Sequence, residues 1–128
     1  MAKIVARWKH FWVENGKWAD ILQLLKRGPK EGDIFAIENL NPMPGQAKRL
    51  SIEFDEETTV FMPILNVSAN EPLIHYNNPK AEGKMIEFAG ADIADRFFTD
   101  DFDLVVSMVR EFYETSWVKS LASPEDIK

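Results

Sequence analysis

Carboxylates are the side chains of this 128-residue chain with the most capacity for chemistry, because it has no cysteine and only two histidines. Two carboxylates in a cleft can act as general acid and base, several can bind a cation, and unpartnered ones can contact a basic protein. They are densest between residues 92 and 114, where two arginines accompany them. The seven in that stretch are Asp92, Asp95, Asp100, Asp101, Asp103, Glu111 and Glu114.

Three of these acids have a structural explanation. Asp100, Asp101 and Asp103 lie at the start of a predicted helix, where a carboxylate complements the positive end of the helix dipole by about 0.3–1 kcal/mol. The others need a different explanation, as does an acidic turn at residues 55–57. Together with a tyrosine of a long loop they are our candidate partner-binding residues: Asp55, Glu56, Glu57, Tyr76, Asp92, Asp95, Glu111 and Glu114.

Signatures of catalysis are missing from the sequence. Neither His10 nor His75 sits beside a recognisable nucleophile, and there is no G-x-S-x-G motif, P-loop or dinucleotide-binding fingerprint. The Asp92-x-x-Asp95 spacing lacks the glycine and the terminal glutamate of a calcium loop. We therefore expect no catalytic residue, no cofactor and no metal site.

Two other hypotheses remain open. The first is a small α+β enzyme or ligand-binding domain that uses His75, Tyr76 and a carboxylate in a cleft between the sheet and the long loop. The second is an accessory protein with a purely structural interface. A pocket lined by those side chains would favour the enzyme, whereas a convex acidic surface would favour a protein-binding role.

The net charge of −6 is unevenly distributed. Residues 1–30 hold seven Lys or Arg and two acids, whereas residues 31–128 hold eight Lys or Arg and nineteen acids. The acidic excess argues against nucleic acid as the main ligand, since that affinity comes from neutralising phosphates with cations.

The N-terminal segment is interrupted by Lys3, Arg7 and Lys9, so it has no apolar core of a signal peptide. No apolar run reaches the length of a membrane span. We expect a soluble, cytoplasmic protein that does not contact a membrane.

The elements that must position the carboxylates follow from hydrophobic periodicity. Alternation over residues 4–13 predicts one strand with Trp8 and Trp12 on its buried face. A helix follows over residues 17–27, capped by Asn15 and ended by Gly28-Pro29.

Further strands are predicted at 34–40, at 50–54 and 60–64 as a hairpin, near 73–76, and at 85–89. A closing helix over about 100–115 carries an apolar stripe with spacings of three and four, and Thr99 or Asp100 is its expected cap. This order predicts an α+β fold. We expect residues 1–128 to form a single globular domain, with a mostly antiparallel sheet of about five to six strands, two main helices packed on one face, and residues 122–128 frayed.

Two segments resemble small immunity proteins of bacterial polymorphic toxin systems, including those of contact-dependent growth inhibition. One is the helix with Trp18, Ile21, Leu22 and Leu25, and the other is the stretch MIEFAGADIADRFFTDDFDLVVSMVREFYETSW. That family pattern places a Gly-Asp pair after the F-Y-E-T run, where this chain has Ser116-Trp117.

The resemblance implies a non-catalytic protein that binds and neutralises one cognate toxin C-terminal domain, often a nuclease. Nucleases that bind phosphate carry basic clefts, and an acidic inhibitor associates with such clefts rapidly. The expected partner is therefore a basic protein domain, contacted through the candidate acids.

Overall fold

The structure is a computed structural model that describes residues 3–121. Its main sheet consists of β1 (Ile4–Trp8), β2 (Phe11–Glu14), β3 (Asp33–Asn39), β4 (Arg49–Phe54), β5 (Phe61–Asn66) and β6 (Ile74–His75). All neighbouring strands are antiparallel, in the order β2-β1-β3-β4-β5-β6. The predicted hairpin at 50–64 corresponds to β4 and β5, in register from Arg49–Asn66 to Phe54–Phe61.

Two longer helices cover one face of this sheet. They are α1 (Trp18–Leu25) and α3 (Phe102–Thr115), and a one-turn helix α2 (Gly28–Glu31) follows α1. The Trp18 and Tyr113 rings, 5.7 Å apart, join α1 to α3. Apolar residues of both helices and of alternate strand positions form the main core. The predicted α+β domain with helices on one sheet face is therefore confirmed.

The first predicted strand is in fact two strands. Lys9 and His10 form a tight turn, with Lys9 at a φ of 53°, and the chain folds back as β2. Trp12 of β2 therefore pairs with Arg7 of β1 and shares the sheet face of Arg7, not that of Trp8. Trp8 is buried in the main core, whereas 63% of Trp12 is exposed, so the predicted burial of Trp12 is wrong.

A second hairpin covers part of the opposite sheet face. It consists of β7 (Met85–Phe88) and β8 (Ala91–Ala94) and is followed by a 3-10 turn at Asp95–Phe97. Phe88 and Phe98 form a small apolar cluster with Met62 of β5. Phe61, the preceding residue, contacts α3 instead, with its ring 5.7 Å from that of Phe102. Because successive strand residues point to opposite faces, α3 and the second hairpin lie on opposite sides of the main sheet.

The helix caps differ from the predicted ones. Lys17 precedes α1 as its N-cap, and Asn15 instead accepts a hydrogen bond from the Ile4 backbone N–H. Asp101 caps α3 by accepting the Leu104 N–H at 3.2 Å. The predicted fraying of residues 122–128 concerns residues outside the described range. Among the described helices, none is long and apolar enough to cross a bilayer.

Ser116 ends α3 in the left-handed conformation, at a φ of 57°, which glycine adopts more readily. Its buried hydroxyl accepts a hydrogen bond from the Asn39 side-chain amide at 2.9 Å. Its carbonyl accepts the Ala47 N–H at 2.7 Å. These bonds attach the end of α3 to the main sheet.

Candidate functional site

The predicted acids do not form one surface. Glu111 and Glu114 lie on α3, whereas Asp92 and Asp95 belong to the second hairpin and the turn after it. These elements lie on opposite sides of the main sheet. A single flat contact therefore cannot include all four of these acids.

Three of the predicted residues bind the protein's own backbone. Asp55 accepts the Ala89 N–H at 2.8 Å, which ties the β4–β5 turn to the tip of the second hairpin. Asp95 accepts the Glu82 N–H at 2.9 Å, and Glu111 accepts the Lys119 N–H at 2.8 Å. The backbone donors to Asp55 lower the pKa of its carboxyl group. These acids hold loops in place.

The other acids are more exposed. Glu114 pairs with Arg110 one helical turn away, at 3.5 Å. Asp92 lies opposite Glu87 across the second hairpin, and both are exposed. Like charges at directly opposed positions repel each other. A cation from a partner would relieve that repulsion, but this acidic pair stands apart from the other predicted residues on α3.

Tyr76 and His75 do not form one site. The Tyr76 side chain is buried in the main core, so it offers a partner little surface. His75 points to the opposite sheet face, where its ring lies 5.2 Å from that of Phe97. The cleft expected from these two side chains and a carboxylate is therefore not formed.

Carboxylates do converge at one end of the sheet. A cleft of about 340 Å³ lies between the start of β3, the end of β4 and the tip of the second hairpin. Its walls include Phe88 and Ala89, and we call it the acidic cleft. Its carboxylates are Glu31, Asp33, Glu53, Asp55 and Glu56.

Most charges of the acidic cleft lack a cationic partner. Glu31 pairs with Arg27 at 3.2 Å. Within residues 3–121, no Lys, Arg or His nitrogen lies within 4.0 Å of the other four carboxylates. Burial raises the pKa of Glu53, because desolvation disfavours its charged form. The cleft therefore concentrates negative charge that the described chain does not neutralise.

Sequence reasoning found Asp55 and Glu56 of this cleft but missed Glu31, Asp33 and Glu53. A signal for Glu53 was present, since alternation in β4 places it on the face opposite to Ile52 and Phe54. No comparable signal existed for Asp33, because its neighbours depend on the pairing of β3 with β4. Its Oδ1 accepts a hydrogen bond from the adjacent Ile34 N–H, at 2.7 Å, and the residue lies opposite Phe54 in the β3–β4 register.

The arrangement suits binding a cationic group. No set of three or more His, Asp or Glu side chains in the described range is placed to hold a metal ion. Unpaired carboxylates in a shallow cleft can instead accept hydrogen bonds from lysine or arginine side chains of a partner.

Comparison with known proteins gives a fold relationship and a family. No curated protein matches the chain. The crystal structure of a hypothetical protein from Neisseria gonorrhoeae has a similar fold, with a TM-score of 0.69 and 13% sequence identity. The similarity covers 95% of this chain and 94% of that protein. By its match over residues 3–121, the chain belongs to the DUF6911 family, a family of unknown function.

Proposed function

We propose that this chain is a non-catalytic immunity protein, which binds a cognate toxin domain and neutralises it by occupying a basic surface. The observation that carries the proposal is the convergence of five carboxylates in the acidic cleft, four of them without a cationic partner within residues 3–121. The proposed toxin-contacting residues are therefore those that line this cleft, in place of the acids that are scattered over both sides of the sheet.

Electrostatics supports a protein partner over a small cation. The carboxylates lie on three separate elements: α2, the start of β3, and the end of β4 with its turn. Such a spread matches several basic side chains on a protein surface better than one ion. Complementary charge accelerates association and excludes partners with the wrong charge.

The geometry also supports a rigid contact. The Asp55 bond to Ala89 holds the tip of the second hairpin against the β4–β5 turn. Two walls of the cleft are thereby fixed relative to each other. Preorganised groups lose less conformational entropy on binding, so more of the interaction appears as affinity.

The proposal predicts that a gene neighbouring that of this chain encodes a toxic protein domain, and that domain is the reagent for the test. Co-expression is expected to restore growth of cells that produce the toxic domain, and the two proteins are expected to co-purify as a complex. Loss of toxicity without a complex, or no loss of toxicity, would contradict the proposed function.

Paired charge reversals locate the contact. Asp33→Lys with Glu56→Lys is expected to slow association by about tenfold or more at low salt, because both residues line the acidic cleft. Asp92→Lys with Glu114→Lys is the matched control, since it changes the net charge equally but lies elsewhere. Equal effects of the two pairs would assign the result to overall charge and refute the acidic cleft as the contact.

A further inference from the structure

A second cleft lies beside the acidic one and has the opposite charge. Its volume is about 780 Å³, and it opens over β1, β3 and β4 on the sheet face opposite to the helices. The two clefts share Asp33 and Ile34 at their boundary. Its charged lining consists of Arg7, Lys9 and Arg49 against the single carboxylate of Asp33. We call it the basic cleft.

Strand register forms this cleft. Ala36 lies between Arg7 on β1 and Ser51 on β4, so two small side chains form the floor beside an arginine. Arg49 lies two residues from Ser51 and therefore points to the same face. The two guanidinium groups thus flank a shallow floor that a small group can reach.

The arginines differ in how they are neutralised. Arg7 forms an ion pair with Glu38, which is 7% exposed and held within the sheet. Arg49 lies opposite Glu38 in the β3–β4 register, but no carboxylate of residues 3–121 lies within 4.0 Å of its guanidinium group. Glu38 thus pairs with only one of the two arginines beside it, and within residues 3–121 the Arg49 charge has no ion-pair partner.

Arg49 also has an unpaired donor. Its Nε is buried, and within the described chain neither it nor the buried side-chain oxygen of Asn66, which lies opposite Arg49 in the β4–β5 register, has a hydrogen-bond partner. Buried polar groups are almost always paired, so an exception needs an explanation. A planar guanidinium group matches the oxygens of phosphate and carboxylate groups, which are the acceptors best suited to it.

We propose that the basic cleft is an oxyanion-binding site, which takes a phosphate or carboxylate group on Arg49, with Arg7 and the Ser51 hydroxyl beside it. The site adjoins the proposed toxin contact, with which it shares Asp33 and Ile34, but its anion chemistry does not depend on that contact. Lys9, in the β1–β2 turn, adds positive charge at one end of the cleft.

The test follows the arginine Nε–Hε signals by NMR while sodium phosphate replaces sodium chloride at constant ionic strength. The Arg49 signal is expected to shift in a saturable manner, with a dissociation constant in the millimolar range. A parallel titration with sodium acetate distinguishes the sources of the group. Stronger binding of phosphate indicates a phosphorylated ligand, and binding of acetate at least as strong indicates a carboxylate.

Variants connect the signal to the cleft. Arg49→Gln lacks the Arg49 signal, so its binding is followed by the Arg7 Nε–Hε signal of the same cleft. This variant is expected to bind phosphate or acetate about tenfold more weakly, as for loss of a charge-assisted hydrogen bond. Arg49→Lys is expected to bind with an affinity between those of the wild type and Arg49→Gln, because lysine keeps the positive charge but lacks the planar guanidinium group. Arg110→Gln, on α3, is the matched control and is expected to bind as the wild type does.

Folding of each variant is checked by its urea unfolding midpoint, so that a binding defect is not a folding defect. An Arg49 signal that neither anion moves would overturn the proposal, because its donors would then be satisfied within the protein. Equal losses in Arg49→Gln and Arg110→Gln would also overturn it, since the binding would then reflect overall charge.

Discussion

The second hairpin forms one wall of the acidic cleft. Weakening its attachment to the main sheet is therefore expected to affect both the stability of the protein and the shape of the cleft. The attachment depends on Met62, Phe88 and Phe98, the buried members of its small apolar cluster. The Phe88 ring lies 4.9 Å from that of Phe98, and only 2% of Phe88 is exposed. Replacing Phe88 with alanine removes the central ring of this cluster.

We expect Phe88→Ala to lower the free energy of unfolding by about 3 kcal/mol. Truncation of a buried phenylalanine costs about 3–5 kcal/mol through lost transfer energy and the remaining cavity. The lower end applies because partly buried neighbours such as Ile86 and Ile93 can move into the space. Domains of this kind are stable by about 5–15 kcal/mol, so the variant is expected to remain folded.

Urea unfolding measures the change, and Met85→Ala is the control. Met85 belongs to the same hairpin but is 61% exposed, so its truncation is expected to change stability by about 0.5 kcal/mol or less. Hydrogen exchange then locates the effect. If the hairpin opens by itself, the amides of β7 and β8 lose protection before those of β3.

A loss of less than about 1 kcal/mol in the free energy of unfolding would refute the anchoring role of Phe88, given the cost of truncating a buried phenylalanine. A loss equal to that of Met85→Ala would refute it as well. Either result would mean that Phe88 does not anchor the hairpin, and the wall of the acidic cleft would need another support.

Three further predictions concern the same end of the sheet. Burial raises the pKa of Glu53 above its usual 4.5, so ionisation of this carboxyl group opposes folding. Glu53→Gln is therefore expected to be more stable than the wild type at neutral pH, and this difference in stability is expected to disappear below pH 4.5. Hydrogen bonds from the Ala89 and Glu57 N–H groups lower the pKa of Asp55 below its usual 3.8. Asp55→Asn is therefore expected to be less stable than the wild type at neutral pH, and this difference in stability is expected to narrow as the pH falls below 3.8. Gly28→Ala places a methyl group 2.3 Å from the packed ring of Phe54, and this crowding is expected to cost about 1–3 kcal/mol.

Urea unfolding as a function of pH measures the first two changes, and unfolding at neutral pH measures the third. Glu56→Gln and Gln23→Ala, both at exposed positions, are the controls for the charge and glycine substitutions. A Glu53→Gln variant less stable than the wild type at neutral pH would contradict the burial argument. A pH-independent effect of Asp55→Asn, or an unchanged stability of Gly28→Ala, would contradict the other two.

Local periodicity was enough to determine the fold class. Alternation of Leu50, Ile52 and Phe54 identified the inner face of β4, and the spacing of Val105 and Val109 identified the buried stripe of α3. These patterns are informative because the backbone conformation of a strand or helix sets which of its own residues share a face. The charges, the lack of cysteine and the missing catalytic motifs were equally available from the sequence.

The candidate site could not be predicted in the same way. Periodicity assigns a residue to a face of its own element, but it does not determine which other element will lie beside that face. Asp55 was found because it stands in an acidic turn, whereas its hydrogen bond to Ala89 joins residues 34 positions apart. Asp33 reaches the acidic cleft only through the pairing of β3 with β4.

The sequence by itself thus determined the α+β class, the order of most elements, the inner residues and the acidic balance of the chain. Only the tertiary structure decided that Trp12 is exposed, because a two-residue turn changed the face to which it belongs. It also separated Asp92 from Glu114 across the sheet and collected other carboxylates into one cleft. The physical reason is that net charge is a sum over residues and can be counted from the sequence. A binding surface depends instead on strand register and on packing between residues that are distant in the chain.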